Sequence, residues 1–123
     1  MDIDDLRVYS FAMNFAEKVW QIVNSWNTFS KDTIGKQFVR SSDSIAANLS
    51  EGFGRYHYKE AKHFCYYSRG SLYETKTWLK KAKNRGLIED SAFSSLDDEI
   101  NLLGKMLNKY INTINSFFFD ISH

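Results

Sequence analysis

The segment "YKEAKHFCYYSRGSLYETKTWLKKAKNR", Tyr58 to Arg85, decides the fold class. Ala61, Cys65, Ser68, Leu72, Thr75, Leu79 and Ala82 follow one another at alternating spacings of four and three. That spacing returns side chains to one face of an α-helix and cannot be drawn as an alternating strand. The segment contains no proline, and Gly86 follows it as a stop signal. A helix with one core face needs other helices to bury it, so the flanking sequence should supply them.

It does. Upstream, Val8, Phe11, Phe15, Val19, Ile22 and Trp26 share a helical stripe, and Asp2, Asp4 and Asp5 suit a helix N-terminus. "NTFSKDT" connects to a second helix, with Ser30 or Asp32 as the expected N-cap. Its core stripe is Ile34, Phe38, Ile45 and Leu49, and it ends at "EGFGR", where two glycines permit a left-handed turn. Downstream, Asp90 or Ser91 is expected to cap a fourth helix carrying Phe93, Leu96, Ile100, Leu103, Leu107, Tyr110, Ile114 and Phe117. Valine, isoleucine and threonine never cluster in alternation, so strands have no support. The prediction is an all-α, up-down-up-down antiparallel four-helix bundle in one domain, residues 1–123, with helices over about 4–28, 32–53, 58–85 and 90–118.

Composition sets bounds on function. The chain of 123 residues is 43% hydrophobic and 25% charged, ordinary for a globular domain, and its formal net charge of +1 gives no global argument for a nucleic-acid partner. The single cysteine, Cys65, cannot form an intramolecular disulfide and falls on the core face, where it should act as a small hydrophobe. No apolar run approaches the length of a membrane span and no signal-peptide pattern opens the chain, so a cytoplasmic protein is expected. His57, His63 and His123 lack metal-ligand spacing with one another or with Cys65, and neither metal nor cofactor is expected.

Charge placement is more informative than the total. From Arg55 to Arg85 there are nine Lys or Arg against two acids, Glu60 and Glu74. Lys59, Lys62, Tyr66, Arg69, Tyr73, Lys76, Lys80 and Lys83 step alternately by three and four, which keeps them on one face of the third helix. Basic side chains interleaved with tyrosines can neutralise phosphates and stack on unpaired bases. A plainly solvated face would carry more acids for pairing one turn away. "MDIDD" and "EDSAFSSLDDE" offer another reading, in which one subunit's acidic ends dock on another's basic helix.

The second helix poses a different question. In "RSSDSIAANLSEGFGR", Arg40 to Arg55, long solvated side chains are scarce. Gln37, Arg40, Ser44, Asn48, Glu51 and Arg55 form one polar line beside the apolar stripe. Small residues let another backbone approach closely, so this helix is either packed tightly inside its own bundle or covered on a second side by another subunit. Arg40, Ser44, Asn48, Glu51, Arg55 and Glu74 are candidates for a structural polar network or a subunit interface. An acid–base site is the weaker reading, because no nucleophile, histidine or second carboxylate joins them at a useful spacing. "GFG" before Arg55 lacks the rest of a phosphate loop and reads as a helix terminator. "SFFFDIS" near the C-terminus puts consecutive phenylalanines around a helix, as a partner surface or a hydrophobic tail would.

The order "LRVYSFA", "FVRSSDSIAANLSEGFGR", "GSLYE" resembles the four-helix-bundle family of 23S rRNA intervening-sequence proteins, also labelled S23 ribosomal proteins. The resemblance runs from about Leu6 to Tyr110. Arg40, Ser44, Ile45, Asn48, Glu51, Gly52 and Arg55 match its second-helix signature, and Gly70, Ser71 and Glu74 its third. Ser41 stands where a second arginine is common, which weakens a phosphate role for the second helix, and Ala46 where proline is common, which should straighten it. Through a related branch, the accessory protein of diversity-generating retroelements, the resemblance implies a bacterial homopentamer with possible RNA or DNA contact and no settled enzymatic activity.

The expectation is therefore a non-enzymatic, homo-oligomeric bundle that binds RNA or DNA through the basic third-helix face. Arg55, Lys59, Lys62, Arg69, Lys76, Lys80 and Lys83 would neutralise phosphates, with Tyr66 and Tyr73 as stacking groups. The alternative is an interaction scaffold whose third helix recruits an acidic protein partner.

Overall fold

A computed structural model describes the backbone of residues 2–55 and 57–122, and their side chains as far as Ser116. The readings of Phe117 and of the "FFF" run lie outside the described side chains.

After a 3-10 turn at Ile3–Asp5, α1 spans Arg7–Asn24. Helix α2 occupies 28–53: an opening turn Thr28–Ser30, a π-helical turn Lys31–Gly35 and the main body Lys36–Phe53. Helix α3 is Tyr58–Asn84 and α4 is Asp90–Ser122. Three short connections leave sequential helices antiparallel. Each helix packs on its two neighbours around the ring, α1 on α2, α2 on α3, α3 on α4 and α4 back on α1, and the α2–α3 seam is the most extensive. This is the four-helix bundle expected, and no strand occurs among the described residues.

Local boundaries differ from expectation for identifiable reasons. Asp4 sits in the 3-10 turn, where Asp2 and Asp5 form a reciprocal capping box, so α1 starts three residues later. Asn27, not Ser30 or Asp32, caps α2: its Oδ1 accepts the Ser30 N–H at 2.9 Å. At the start of α4, Phe93 N–H donates to the Glu89 carbonyl at 2.9 Å, which places Glu89 at the cap position and Asp90 inside the first turn. Neither glycine of "EGFGR" turns left-handed; Gly86 alone among the described residues does, at φ 72°, where it closes α3.

Gly52 has another task. A Cβ there would lie 2.9 Å from Phe64 Cβ and 3.0 Å from the Ala61 carbonyl, so its lack of a side chain lets the C-terminal end of α2 touch the start of α3.

The core contains the sequence-read stripes almost intact. Phe15, Val19, Phe38, Ile45, Leu79 and Leu103 are fully buried. Phe11, Ile22, Ala61, Phe93, Tyr110 and Ile114 are only half-buried, at the margins of their stripes. Burying each large apolar side chain contributes about 1.5–3 kcal/mol. Along the α2–α3 seam the core turns polar, and the buried hydroxyls of Ser41, Ser42, Ser68 and Thr75 are each satisfied. Ser68 Oγ donates to the Ile45 carbonyl at 2.7 Å, crossing between helices. The hydroxyl oxygens of Thr75 and Ser41 lie 2.9 Å apart, with the Ser71 carbonyl 2.7 Å from Thr75 and the Phe38 carbonyl 3.2 Å from Ser41. One hydroxyl proton therefore crosses the seam while the other returns to its own helix.

This geometry revises the expectation attached to Ser41. The residue is 1% exposed and faces Thr75, so a cation here would be buried in the seam rather than offered to phosphate. Ala46 lies 3% exposed within the regular body of α2, and the irregularity of that helix falls instead at Lys31–Gly35.

At one end of the bundle, Trp26 Nε1 donates to the Leu87 carbonyl at 3.0 Å, tying the α1–α2 connection to the α3–α4 connection. At the other end, the Tyr58 hydroxyl donates to Asn115 Oδ1 at 2.7 Å.

Candidate nucleic-acid interface

Because the core face of α3 is the offset set from Ala61 to Ala82, its basic stripe is rotated onto the margin that adjoins α4. Lys59, Lys80 and Lys83 are exposed, and Lys62, Arg69 and Lys76 are half-buried along their stems. Among the described residues, ion pairs join Lys18 to Glu99 and Arg55 to Glu51 and Glu60. None of them neutralises Lys59, Lys62, Arg69, Lys76, Lys80 or Lys83.

The aromatic side chains of the stripe differ sharply. Tyr66 is half-buried against the core, with Arg69 Cζ 5.0 Å and Lys62 Nζ 5.8 Å from its ring centroid. Arg69 is held further by Asn108 on α4, its Nη1 donating to Oδ1 at 3.1 Å. Tyr73 is 60% exposed, with Lys76 Nζ 5.8 Å from its ring centroid. Lys83 Nζ sits 4.3 Å over the Phe93 ring.

Between α3 and α4 lies a groove of about 650 Å³ lined by Tyr73, Lys76, Lys80, Lys81, Asp97 and Asn101, among others. Asp97 and Asn101 were missed by the sequence reading, which followed a single helix and had no means of pairing it with α4, and Lys81, one of the nine cations counted from Arg55 to Arg85, lies off the stripe it followed. A signal was present: Asp97, Asn101, Lys105 and Asn108 step by four, four and three, placing Lys105 on the α4 face between two residues that border α3.

The second candidate set does not converge on a cleft. Arg55 and Glu51 come together as an exposed pair at 2.5 Å, and Arg55 also covers Phe64 with Cζ 4.9 Å from the ring centroid. Ser44 Oγ donates to the Arg40 carbonyl at 2.8 Å, and Asn48 Nδ2 to the Ser44 carbonyl at 2.9 Å. These side chains are satisfied by their own helix. Arg40 and Glu74 are exposed, and among the described residues no hydrogen bond or ion pair joins Glu74 to the others.

Desolvation pushes the Cys65 thiol up from 9.0 to about 11, so it stays protonated at neutral pH. Asp43 on α2 is raised above 3.8, chiefly by desolvation and secondarily by the like charge of Glu17 on α1. No group of His, Cys, Asp and Glu among the described residues could hold a metal ion, and no helix there is long and apolar enough to cross a membrane.

The sequence model of the 23S rRNA-intervening sequence proteins matches residues 4–109, which takes in α1, α2, α3 and most of α4. The chain belongs to the 23S rRNA-intervening sequence protein family. A crystal structure from Bacteroides thetaiotaomicron VPI-5482, described as a protein of unknown function from the S23 ribosomal protein family, superposes with a TM-score of 0.76. It is 20% identical, with 85% of this chain and 97% of that one covered, so the likeness concerns the fold. No curated protein matches the chain. The family's description names no reaction.

Proposed function

We propose that this member of the 23S rRNA-intervening sequence protein family is a non-enzymatic, homo-oligomeric bundle that binds RNA or DNA through the basic face of α3, without strong sequence preference. One observation carries the reading: the cations from Lys59 to Lys83 form a continuous band that no carboxylate pairs with among the described residues. An unpaired row of this kind is held apart from its own repulsion by little except solvent, and a polyanion relieves it with release of counterions. Lys62 to Lys83 covers about 30 Å of helix at 1.5 Å per residue, enough to follow several phosphates. Lys105 widens the band onto α4.

Self-association has separate support. Trp20 is 55% and Met13 42% exposed, and as positions i and i+7 they share one line on α1. The family resemblance implies five subunits. Light scattering on dilute protein should give a multiple of 14.4 kDa, and a 14.4 kDa particle would refute self-association.

Fluorescence anisotropy with labelled RNA and DNA, single-stranded and duplex, tests the binding reading. Binding that weakens with salt and with Lys76→Glu/Lys80→Glu supports it. Capture of an acidic protein that persists after nuclease treatment, with no oligonucleotide binding, would favour the scaffold instead.

A further inference from the structure

We propose that the α3–α4 groove seats an unstacked base of a single-stranded nucleic acid, with Tyr73 as the stacking platform. Lys76, Lys80 and Lys81 hold the flanking phosphates. The inference rests on the nucleic-acid reading above and narrows it to single strands and to one groove.

Three observations converge there. The first is size: about 650 Å³ lies within the range of small-ligand pockets, ample for one nucleobase and its sugar. The second is aromatic access. Tyr66 already has a cation near its ring from each direction along the helix, and Phe93 lies under Lys83. Tyr73 also has a cation nearby, Lys76 Nζ at 5.8 Å from its ring centroid, yet it lines the groove with more than half its surface open. A base has a π face to lay on such a ring only when it is free of its own stack, which a duplex interior does not allow.

The third is the charge asymmetry of the two walls. The α3 wall carries Lys76, Lys80 and Lys81, and the α4 wall carries Asp97 and Asn101. Among the described residues no ion pair closes Asp97 onto these lysines. A phosphate is drawn to the α3 wall and repelled by Asp97, so the backbone runs along α3 while the base points towards α4. There Asn101 offers an amide donor and acceptor, and Asp97 accepts from ring or exocyclic N–H groups. An acidic peptide would meet the Asp97 carboxylate in the same place and has no base for Tyr73.

The test is anisotropy with short labelled single-stranded RNA, single-stranded DNA and their duplexes, on wild type, Tyr73→Ala and Tyr73→Phe, each checked for helicity by circular dichroism. Tyr73 is exposed, so the folded bundle should tolerate both changes. Tyr73→Ala is expected to weaken single-strand binding about tenfold, the loss of one stacked base. Tyr73→Phe should retain it, and duplex binding should change less than about twofold. Wild-type binding that is salt-dependent yet indifferent to Tyr73→Ala, or reduced equally for single strands and duplexes, overturns the groove while leaving the basic band standing. Wild type that binds no oligonucleotide overturns both.

Discussion

Ser41 and Thr75 face each other across the α2–α3 seam with their hydroxyl oxygens 2.9 Å apart, both essentially without solvent contact. Each also lies within reach of a carbonyl of its own helix, so neither depends wholly on the other. Thr75→Val or Ser41→Ala alone should cost about 1–3 kcal/mol, because one buried polar group loses a partner. The double variant should lose less than the sum of the two. Urea unfolding of all four proteins measures the coupling, and strict additivity would contradict the shared bond.

Two glycines give opposite expectations from the same substitution. Gly52→Ala forces a Cβ to within 2.9 Å of Phe64 Cβ at the crossing of α2 and α3, and should destabilise by about 1–3 kcal/mol. Gly70→Ala places a Cβ on α3 with nothing within 4 Å, and should stabilise by about 0.5–1 kcal/mol. Thermal or urea unfolding compares them, and a matching sign would contradict the close approach at Gly52.

The α2–α3 seam marks how far the sequence could be read. The core face of α3 was legible down to Ser68 and Thr75, because alternating spacings of three and four place a residue on a helix whatever its polarity. Ser41 and Ser42 stand at the same spacings between Phe38 and Ile45, and escaped because the stripe of the second helix was drawn through its apolar residues alone. The left-handed turn expected at "EGFGR" failed for a different reason: Gly52 serves a close approach, which depends on a partner helix that local sequence does not specify. For the candidate site, the basic row on α3 was visible, but which tyrosine stays open was not. That difference arises chiefly from the packing of Tyr66 against the core, since each ring has a lysine 5.8 Å from its centroid, and the groove needs residues of α4.

Cys65 should be inert while the bundle is folded. Its burial keeps the thiol protonated up to about 11, and only a thiolate attacks a disulfide reagent. Ellman's reagent should react slowly with native protein near neutral pH and rapidly in denaturant. Immediate native labelling would contradict the burial.

Asp43 introduces a pH dependence of defined sign. Its folded-state value is raised above 3.8, so the folded state binds the proton more tightly than the unfolded chain. Its contribution to stability therefore falls as pH rises from 3.8 through the folded value, and the penalty is constant above that. Asp43→Asn should raise the Tm at neutral pH, and the gain should vanish well below pH 3.8. Melting curves of the two proteins across that range check it; a gain that persists in acid, or a lower Tm at neutral pH, contradicts the assignment.

If the α3 cations hold a nucleic-acid backbone, the affinity for a single strand must depend on salt. With Lys76, Lys80 and Lys81 each neutralising one phosphate, log K should fall against log salt with a slope of at least about −2. Lys76→Glu/Lys80→Glu should reduce the affinity more than about tenfold and flatten that slope. Absence of binding at low salt, or an affinity unchanged by salt and by the double charge reversal, would contradict the account.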